Sequence, residues 1–225
     1  TMATLLYTPN PKHILIVGLG GGTLPMAFTN LFPEAQIDSI EVDPAVVKVA
    51  EAYFQYRTND RVRTHIQDAR VWVKRMALVE PAKYDLVVLD AFNGEYIPEH
   101  LMTQELFSDL KTLMSPEATL AANTFTISDL YASESVTYEA VFGTFINFRL
   151  PESANRMIIV PPAGLSSDRL KERATQLSET LKPFRVPIEK YARLITSASK
   201  QKPDWNRNAR VLTDQYSPAN LLQAR

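Results

Sequence analysis

The sequence contains no cysteine. Disulfide bonds, thiolate metal sites and a cysteine nucleophile are therefore excluded. Histidine is also scarce, and His13, His65 and His100 stand far apart in the chain. Without cysteine or clustered histidine we expect no bound metal. Disulfides are typical of oxidising compartments, so a chain without cysteine is expected in a reducing, cytoplasmic location.

Long apolar runs are absent as well. No stretch approaches the roughly 18 to 20 uninterrupted apolar residues that cross a bilayer, so we expect no membrane contact from this chain. The first apolar run, 14–17, is too short for a signal peptide and leads directly into glycines. We therefore expect no secretory leader in this sequence.

The composition is that of a globular protein. The chain has 225 residues, of which 45% are hydrophobic and 22% are charged, so one large domain is expected. A net charge of -1 argues against a general nucleic-acid binder. Residues 168–210 hold 11 Lys or Arg against 5 Asp or Glu, which leaves residues 1–165 with a net charge of -7. Solvated helix faces explain this asymmetry; the alternative is an acidic field that attracts a cationic acceptor.

Short apolar runs alternate with amphipathic segments along the first two thirds of the chain. The pattern predicts strands at 13–17, 36–42, 61–67, 84–90 and 119–125. It predicts helices at 23–32, 44–54, 69–79, 99–114 and 129–142. Strands that alternate with helices indicate an α/β fold, with a mostly parallel sheet covered by helices on both faces.

Two further strands, 144–150 and 156–160, are separated by a short turn and are expected to pair antiparallel at one edge of the sheet. After them the pattern predicts a helix that ends near Leu181, followed by an irregular, proline-interrupted segment. We therefore divide the chain into a nucleoside-binding catalytic core, 1–165, and a helical and irregular extension, 166–225, packed on the same domain.

Four of the seven glycines lie between positions 18 and 22, directly after the first strand. Glycines there allow a tight turn and let a ligand approach the main chain. A dinucleotide would require G-x-G-x-x-G, but the third glycine position is occupied by Thr23. S-adenosylmethionine (SAM), a nucleoside without a pyrophosphate, needs only the open turn and is favoured over a nicotinamide cofactor.

Carboxylates follow the next three strands. Glu41 ends the second strand and can accept hydrogen bonds from both ribose hydroxyls, whether the ligand is SAM or a dinucleotide. Asp68 ends the third strand and can accept from an adenine amino group; it can also cap the helix that follows. Asp90 ends the fourth strand, where a carboxylate can accept a proton from an attacking amine or stabilise its developing charge. Glu95 and Tyr96 are close enough in sequence to line an acceptor pocket.

An ordered set of motifs resembles the spermidine synthase family, whose members have the Rossmann-like fold of class I SAM-dependent methyltransferases. The motifs are ILIVGLGGGTLP, IEVDP, IQDAR, YDLVVLDAF, IPEHLMTQELF and the tail LTDQYSPANLL. The resemblance implies that the loop holds the methionine-derived part of the donor, through Gly18, Gly20 and Gly22. It further implies that Glu41 binds ribose, that Asp68 with Ala69 binds adenine, and that Asp90 is the catalytic carboxylate.

Two positions depart from the family pattern. The family usually has GGGDG, whose Asp holds the amino end of the aminopropyl group, and here we align Thr23 with that Asp. Family members commonly carry a second Asp after the fourth strand that grips the acceptor; here Asn93 stands in its place. Loss of a negative charge at position 23 favours intact SAM, the methyl donor, whereas the family label favours decarboxylated SAM, the aminopropyl donor.

The sequence therefore predicts a transferase that moves an alkyl group from SAM or decarboxylated SAM to a small-molecule or protein amine, with aminopropyl and methyl transfer both open. The alternative is a non-catalytic nucleoside-binding module, which Asn93 motivates. The resemblance alone also implies a homodimer.

Overall fold

A computed structural model describes residues 1–92, 97–150 and 153–216. In these residues the strands are β1 (His13–Val17), β2 (Gln36–Glu41), β3 (Val62–Ile66), β4 (Tyr84–Leu89), β5 (Met114–Phe125), β6 (Ile146–Arg149) and β7 (Asn155–Val160). The α-helices are α1 (Thr23–Leu31), α2 (Pro44–Tyr53), α3 (Ala69–Val79), α4 (Gln104–Leu113), α5 (Tyr131–Phe142), α6 (Ser167–Leu181) and α7 (Ile188–Ala198). None of the helices in the described part of the chain is long and apolar enough to cross a membrane.

The strands form one sheet in the order β3-β2-β1-β4-β5-β7-β6. The pairs from β3 to β5 are parallel, whereas β7 runs antiparallel to both β5 and β6. The predicted α/β class, the mostly parallel sheet and the antiparallel pairing near one edge are confirmed. Parallel strands need helical crossovers, which cover both faces of the sheet.

Alternate residues of the central strands enter two separate cores. In β1, Ile14 and Ile16 pack in the core that contains buried residues of α1, α2, α6 and α7. Leu15 and Val17 face the opposite core, with buried residues of α3, α4 and α5. Because successive side chains of a strand point to opposite faces, an apolar run without polar interruption fits this double burial.

Two helix predictions needed correction. The helix predicted at 99–114 is divided into a short 3-10 turn, Glu99–Leu101, and α4, which begins after Thr103. The Thr103 hydroxyl accepts a hydrogen bond from the Leu106 N–H at 3.3 Å and so caps α4. The helix ends at Leu113, three residues before Pro116, because β5 begins at Met114 and includes the proline in its exposed first part.

The segment predicted to be irregular after Leu181 contains α7. Its buried residues, Ile188, Ala192 and Ile195, recur at helical spacing. Pro187 precedes the first turn of α7, where a proline breaks no helical hydrogen bond. Beyond α7, Trp205 packs against the opposite core, and the Leu212 N–H donates to Thr137 Oγ1 on α5 at 2.9 Å.

A buried polar cluster joins β2 and β3 to the amino end of β4. Asp38 is 5% exposed and accepts hydrogen bonds from His65 Nε2 and from the Tyr84 hydroxyl, each at 2.9 Å. Lys83 Nζ lies 3.3 Å from the second carboxylate oxygen. Burial would raise the pKa of Asp38, but the His65 and Tyr84 hydrogen bonds and the Lys83 charge together lower it to about 2. The His65 ring is thus held within the sheet by its contact with Asp38.

We expect Asp38→Asn to lower the free energy of unfolding at pH 7 by about 2 kcal/mol, since the folded protein favours the ionised carboxylate. Because the pKa of Asp38 is lower in the folded protein, the ionised side chain stabilises the fold at pH values above the ordinary Asp pKa. This stabilisation is lost as the pH falls from about 4 toward 2. Urea unfolding of both proteins at pH 7 and pH 3 measures the difference, with exposed Asp60→Asn as the control. An equal difference at both pH values would show that the Asp38 charge is not its source.

Candidate active site

A cleft of about 1010 Å³ opens at the carboxyl ends of β1, β2 and β4. The strand β1 pairs with β2 on one side and with β4 on the other. The first three strands are therefore added to the sheet in one direction from β1, and β4 and β5 are added in the opposite direction. Crevices for ligands in open parallel sheets form where this reversal occurs. The cleft is the candidate active site.

Three glycines after β1 have positive φ and differ in what a side chain would meet at each position. Gly18 has a φ of +98°, and a Cβ there would overlap the carbonyl oxygen of Asp90. Gly22 has a φ of +70°, and a Cβ there would collide with the ring of buried Tyr56. Gly20 has a φ of +55°, lines the cleft, and a Cβ there would meet no protein atom within 4 Å. Packing therefore requires glycine at positions 18 and 22, whereas position 20 leaves space for a ligand.

Thr23 lies outside the group of residues that line the cleft. It is the first residue of α1 and its side chain is exposed. Gly22 is likewise absent from the cleft lining, while Gly18, Gly20 and Leu24 contribute to it. Of the predicted cofactor-binding residues, Gly22 and Thr23 thus lie outside the described cleft lining, which includes Gly18, Gly20, Glu41, Asp68 and Ala69.

Glu41 is held in the cleft by the main chain on either side. Its Oε2 accepts from the Leu19 N–H at 3.1 Å, and its Oε1 accepts from the Asp43 N–H at 3.0 Å. Both bonds orient the carboxylate beside the glycine turn, and each oxygen retains a further lone pair. Glu41 can accept two more hydrogen bonds from a ligand.

Asp68 combines two structural contacts with its place in the cleft. It is the N-cap of α3, where its Oδ1 accepts from the Val71 N–H at 3.0 Å. Its Oδ2 lies 2.9 Å from Nε2 of His100, which comes from the segment after β4. Asp68, Ala69 and His100 all line the cleft, so the Asp68–His100 contact spans it. The capping role that the sequence left open is confirmed.

Asp90 is oriented by two asparagines on neighbouring strands. Its Oδ1 accepts from Asn123 Nδ2 at 3.0 Å, and Asn123 Oδ1 in turn accepts from Asn155 Nδ2 at 3.2 Å. Neither Asn123 nor Asn155 was among the site residues predicted from the sequence. Asn123 lies near the carboxyl end of β5, and the same edge-of-sheet rule that selected Asp90 could have found it.

The tail of the described chain brings another carboxylate to the cleft. Asp214 lines it and accepts from Thr103 Oγ1 at 2.7 Å and from Arg70 Nη2 at 2.9 Å. Burial opposes ionisation of Asp214, but the hydrogen bonds from Arg70 and Thr103 lower its pKa below the usual value. No local pattern in the sequence connects Asp214 to a strand end, and the sequence analysis missed it.

The cleft is strongly acidic. Among the described residues that line it, six are carboxylates and none is Lys or Arg. These carboxylates are Glu41, Asp43, Asp68, Asp90, Glu99 and Asp214. A cleft of one charge sign with apolar walls concentrates ligands of the opposite sign, so this site is suited to cations.

The predicted acceptor-binding residues Asn93, Glu95 and Tyr96 lie outside the described part of the chain. Within the described ranges, no group of three or more His, Asp or Glu residues is arranged to hold a metal ion. Two of the three histidines bond carboxylates instead, His65 with Asp38 and His100 with Asp68.

Comparison with known proteins identifies the family. The model for the spermine/spermidine synthase domain matches residues 2–144, which is more than half of the chain. The chain belongs to the spermine/spermidine synthase family. A polyamine aminopropyltransferase from Vibrio vulnificus (strain CMCP6) is 48% identical to it over 99% of this chain and 74% of that protein. The family assignment makes the chain a transferase, and the alternative of a non-catalytic module finds no support.

More distant relatives share the fold with another activity. The human eEF1A lysine and N-terminal methyltransferase is 29% identical to this chain. The match covers 76% of this chain but only 26% of that protein. A structure of human methyltransferase-like protein 13 in complex with SAH aligns with a TM-score of 0.67 at 24% identity, covering 98% of this chain and 95% of that chain.

A spermidine synthase in complex with the transition state analogue AdoDATO aligns with a TM-score of 0.63 at 17% identity, covering 90% of this chain and 68% of that one. Together with the methyltransferase structure, it shows that the predicted class I methyltransferase-like fold is correct. At these identities the structural similarity is evidence of fold alone.

Gly18 and Gly20 offer a matched pair of variants. Both have positive φ, so alanine introduces backbone strain of about 1 kcal/mol or more at each position. Only at Gly18 does the new Cβ also overlap main-chain atoms, those of Asp90. We expect Gly18→Ala to lower the melting temperature markedly more than Gly20→Ala does, and Gly20→Ala to weaken nucleoside binding in a folded protein.

Differential scanning calorimetry and titration with SAM and decarboxylated SAM measure the two effects. Equal melting temperatures for the two variants would contradict the steric role of Gly18. Unchanged affinity in Gly20→Ala would contradict the placement of the nucleoside against this turn.

Proposed function

We propose that this transferase moves an aminopropyl group from decarboxylated SAM to an amine. The observation that carries this proposal is the charge of the cleft, which offers carboxylates and no Lys or Arg among its described lining residues. Decarboxylated SAM is a dication, because it carries a sulfonium and an ammonium group without a carboxylate. An amine acceptor is also cationic before it reacts, so both substrates match the sign of the site.

Intact SAM differs from this donor by one carboxylate. In the cleft that carboxylate would approach groups such as Glu41 and Asp90, with no described cationic side chain to pair with it. Two like charges 4 Å apart repel by about 1 kcal/mol in water and by about 4 kcal/mol at the effective dielectric near a protein surface. The electrostatics therefore favour the aminopropyl donor over the methyl donor.

Methyl transfer is the second candidate, and Thr23 is the observation that favours it. A missing carboxylate at this position would remove repulsion toward intact SAM. Thr23, however, is exposed and lies outside the described cleft lining, so the six carboxylates of the cleft outweigh it. The 48% identity to a protein named polyamine aminopropyltransferase supports the same choice.

The donor would lie across the glycine turn, with its sulfonium end near Gly18 and Gly20. Glu41, whose oxygens each retain a free lone pair, would accept hydrogen bonds from the two ribose hydroxyls. Asp68 and Ala69 would contact adenine. The Asp68 carboxylate would accept a hydrogen bond from the adenine amino group, either in place of its contact with His100 or in addition to it. The nucleoside would therefore lie across the carboxyl ends of three neighbouring strands, β1, β2 and β3.

In the transfer step the neutral amine nitrogen attacks the carbon bonded to sulfur. The new carbon–nitrogen bond forms as the carbon–sulfur bond breaks, the sulfur keeps the electron pair, and a neutral thioether nucleoside leaves. Because the acceptor arrives as an ammonium, it first gives a proton to Asp90, and the nitrogen becomes positive again as its bond to carbon forms. Asn123 would hold the Asp90 carboxylate in the orientation that the step requires.

The acceptor pocket is proposed to include Asn93, Glu95 and Tyr96, which follow Asp90 in the chain. A small-molecule amine fits the cationic preference of the cleft, and a protein amine is the alternative. A homodimer stays a prediction from the family resemblance.

Product analysis tests the proposed reaction. We expect the protein, incubated with either donor and a panel of primary amines, to give a product whose mass corresponds to an added aminopropyl group and not to an added methyl group. Asp90→Asn is expected to lower kcat by about a hundredfold or more, as loss of a general base does, and to lower donor affinity much less, because five other carboxylates line the cleft.

Asp60→Asn, an exposed aspartate in the loop before β3, is the matched control and is expected to keep the kcat of the unsubstituted protein. Methylated products from intact SAM alone would overturn the proposal of aminopropyl transfer. Full turnover by Asp90→Asn would remove Asp90 from the reaction.

A further inference from the structure

Segment 212–216, which belongs to the tail motif of the sequence, is fixed to the first turn of α4. The Gln104 N–H donates to the Leu212 carbonyl at 2.9 Å, and the Asp214 N–H donates to Glu105 Oε2 at 2.9 Å. Leu212 is fully buried. Since the first N–H groups of a helix have no partner inside it, the segment supplies an acceptor at the start of α4. The reaction proposed above gives this segment no role.

The side chain of Asp214 connects the start of α3 to the start of α4. Its Oδ2 accepts from Arg70 Nη2 at 2.9 Å, and Arg70 is the second residue of α3, directly after Ala69. Its Oδ1 accepts from Thr103 Oγ1 at 2.7 Å, and Thr103 is the N-cap of α4. Thr103 is fully buried, and both Thr103 and Asp214 line the cleft. The connection therefore lies at the edge of the candidate active site.

The proposed adenine pocket lies between these two sides. Asp68 and Ala69 come from the start of α3, whereas His100 comes from the 3-10 turn that precedes α4, and all three line the cleft. The Asp68–His100 contact of 2.9 Å joins the same two sides. Because the adenine amino group would use Asp68, donor binding would weaken or replace that contact. Asp214 supplies a second connection, which does not depend on Asp68.

We propose that Asp214 is a positioning residue for the donor nucleoside, which keeps the two sides of the adenine pocket at the spacing that adenine requires. This inference rests on the proposed function and gives segment 212–216 a role in donor affinity. Asp214 would act through Arg70 and Thr103 and would not have to contact the donor. A pocket whose walls are already fixed in the free protein binds more tightly, because less conformational entropy is lost on binding.

Charge is the competing explanation for any effect of Asp214 on the donor. It is one of the six carboxylates in the described cleft lining, and its loss would also leave Arg70 with Asp109 as its remaining carboxylate partner. A change of charge alters the binding of a cationic donor, whereas a change of pocket spacing alters the binding of every adenine nucleoside. Methylthioadenosine, a neutral thioether nucleoside, separates the two effects.

Calorimetric titration of Asp214→Asn with methylthioadenosine and with decarboxylated SAM tests the inference. We expect methylthioadenosine to bind about threefold to tenfold more weakly than to the unsubstituted protein, as loss of a partly exposed charged contact implies, and decarboxylated SAM to be weakened at least as much. In turnover assays we expect the KM for the donor to rise by a similar factor with kcat unchanged, because the Asp90–Asn123 contact is retained.

Asp109→Asn is the matched control. It makes the same chemical change at the other carboxylate partner of Arg70, which accepts from Nη1 at 2.6 Å and lies outside the cleft lining. Because the contacts of Asp214 with Arg70 and Thr103 stay in place, we expect both dissociation constants to be unchanged.

Arg70→Met breaks the same connection from the α3 side and keeps the Asp214 charge. We expect it also to weaken methylthioadenosine binding, although the cleft gains net negative charge. This variant keeps the test decisive if Asp214→Asn does not fold.

Unchanged methylthioadenosine binding in a folded Asp214→Asn protein overturns the inference, and a loss confined to decarboxylated SAM is then an effect of charge. Equal weakening by Asp109→Asn also overturns it, since Asp214 would then contribute nothing specific. In both cases the unsubstituted protein still transfers aminopropyl groups and the proposed function stands. If the unsubstituted protein binds neither nucleoside, the proposed function itself is defeated, and the inference fails with it.

Discussion

The close approach of Gly18 to the main chain of Asp90 is the constraint on which the site depends. The end of β1 and the end of β4 come together there, and a side chain at position 18 would occupy the space of the Asp90 carbonyl oxygen. The Gly18 N–H donates to the Ile40 carbonyl, and the Asp90 N–H donates to the Val17 carbonyl, each at 2.8 Å. Three strand ends are thereby locked into one register. Glu41 and Asp90 consequently face the same cleft although 49 positions in sequence separate them.

Around this fixed edge the described lining of the cleft has apolar walls, six carboxylates and no Lys or Arg. The carboxylates are not free to turn away, since Glu41 is held by two main-chain N–H groups, Asp90 by Asn123, and Asp214 by Arg70 and Thr103. Arg70 faces Asp109 and Asp214 and is not among the cleft-lining residues. Such preorganised anionic groups bind cations without having to reorganise, which connects the local geometry to a dicationic donor and an amine acceptor.

The sequence predicted the central strands well, because strands buried on both faces contain uninterrupted apolar runs such as ILIV in β1 and LVVL in β4. It failed where tertiary contacts decide the outcome. The helix α7 was missed because its flanking prolines suggested irregular structure, although apolar residues recur at helical spacing. Asp214 reaches the cleft from the far end of the chain, and Asn123 is an uncharged residue whose importance depends on its contact with Asp90. Thr23 was given weight by its position in a motif, yet its exposed side chain lies outside the cleft lining.

An acidic cleft whose described lining contains no Lys or Arg is expected to select the more positively charged donor. Paired calorimetric titrations of the protein with decarboxylated SAM and with SAM, at low and at high ionic strength, measure this directly. We expect decarboxylated SAM to bind at least about tenfold more tightly, equivalent to about 1.4 kcal/mol, and we expect added salt to reduce the difference. Tighter binding of intact SAM, or a preference that does not change with salt, would contradict the electrostatic account.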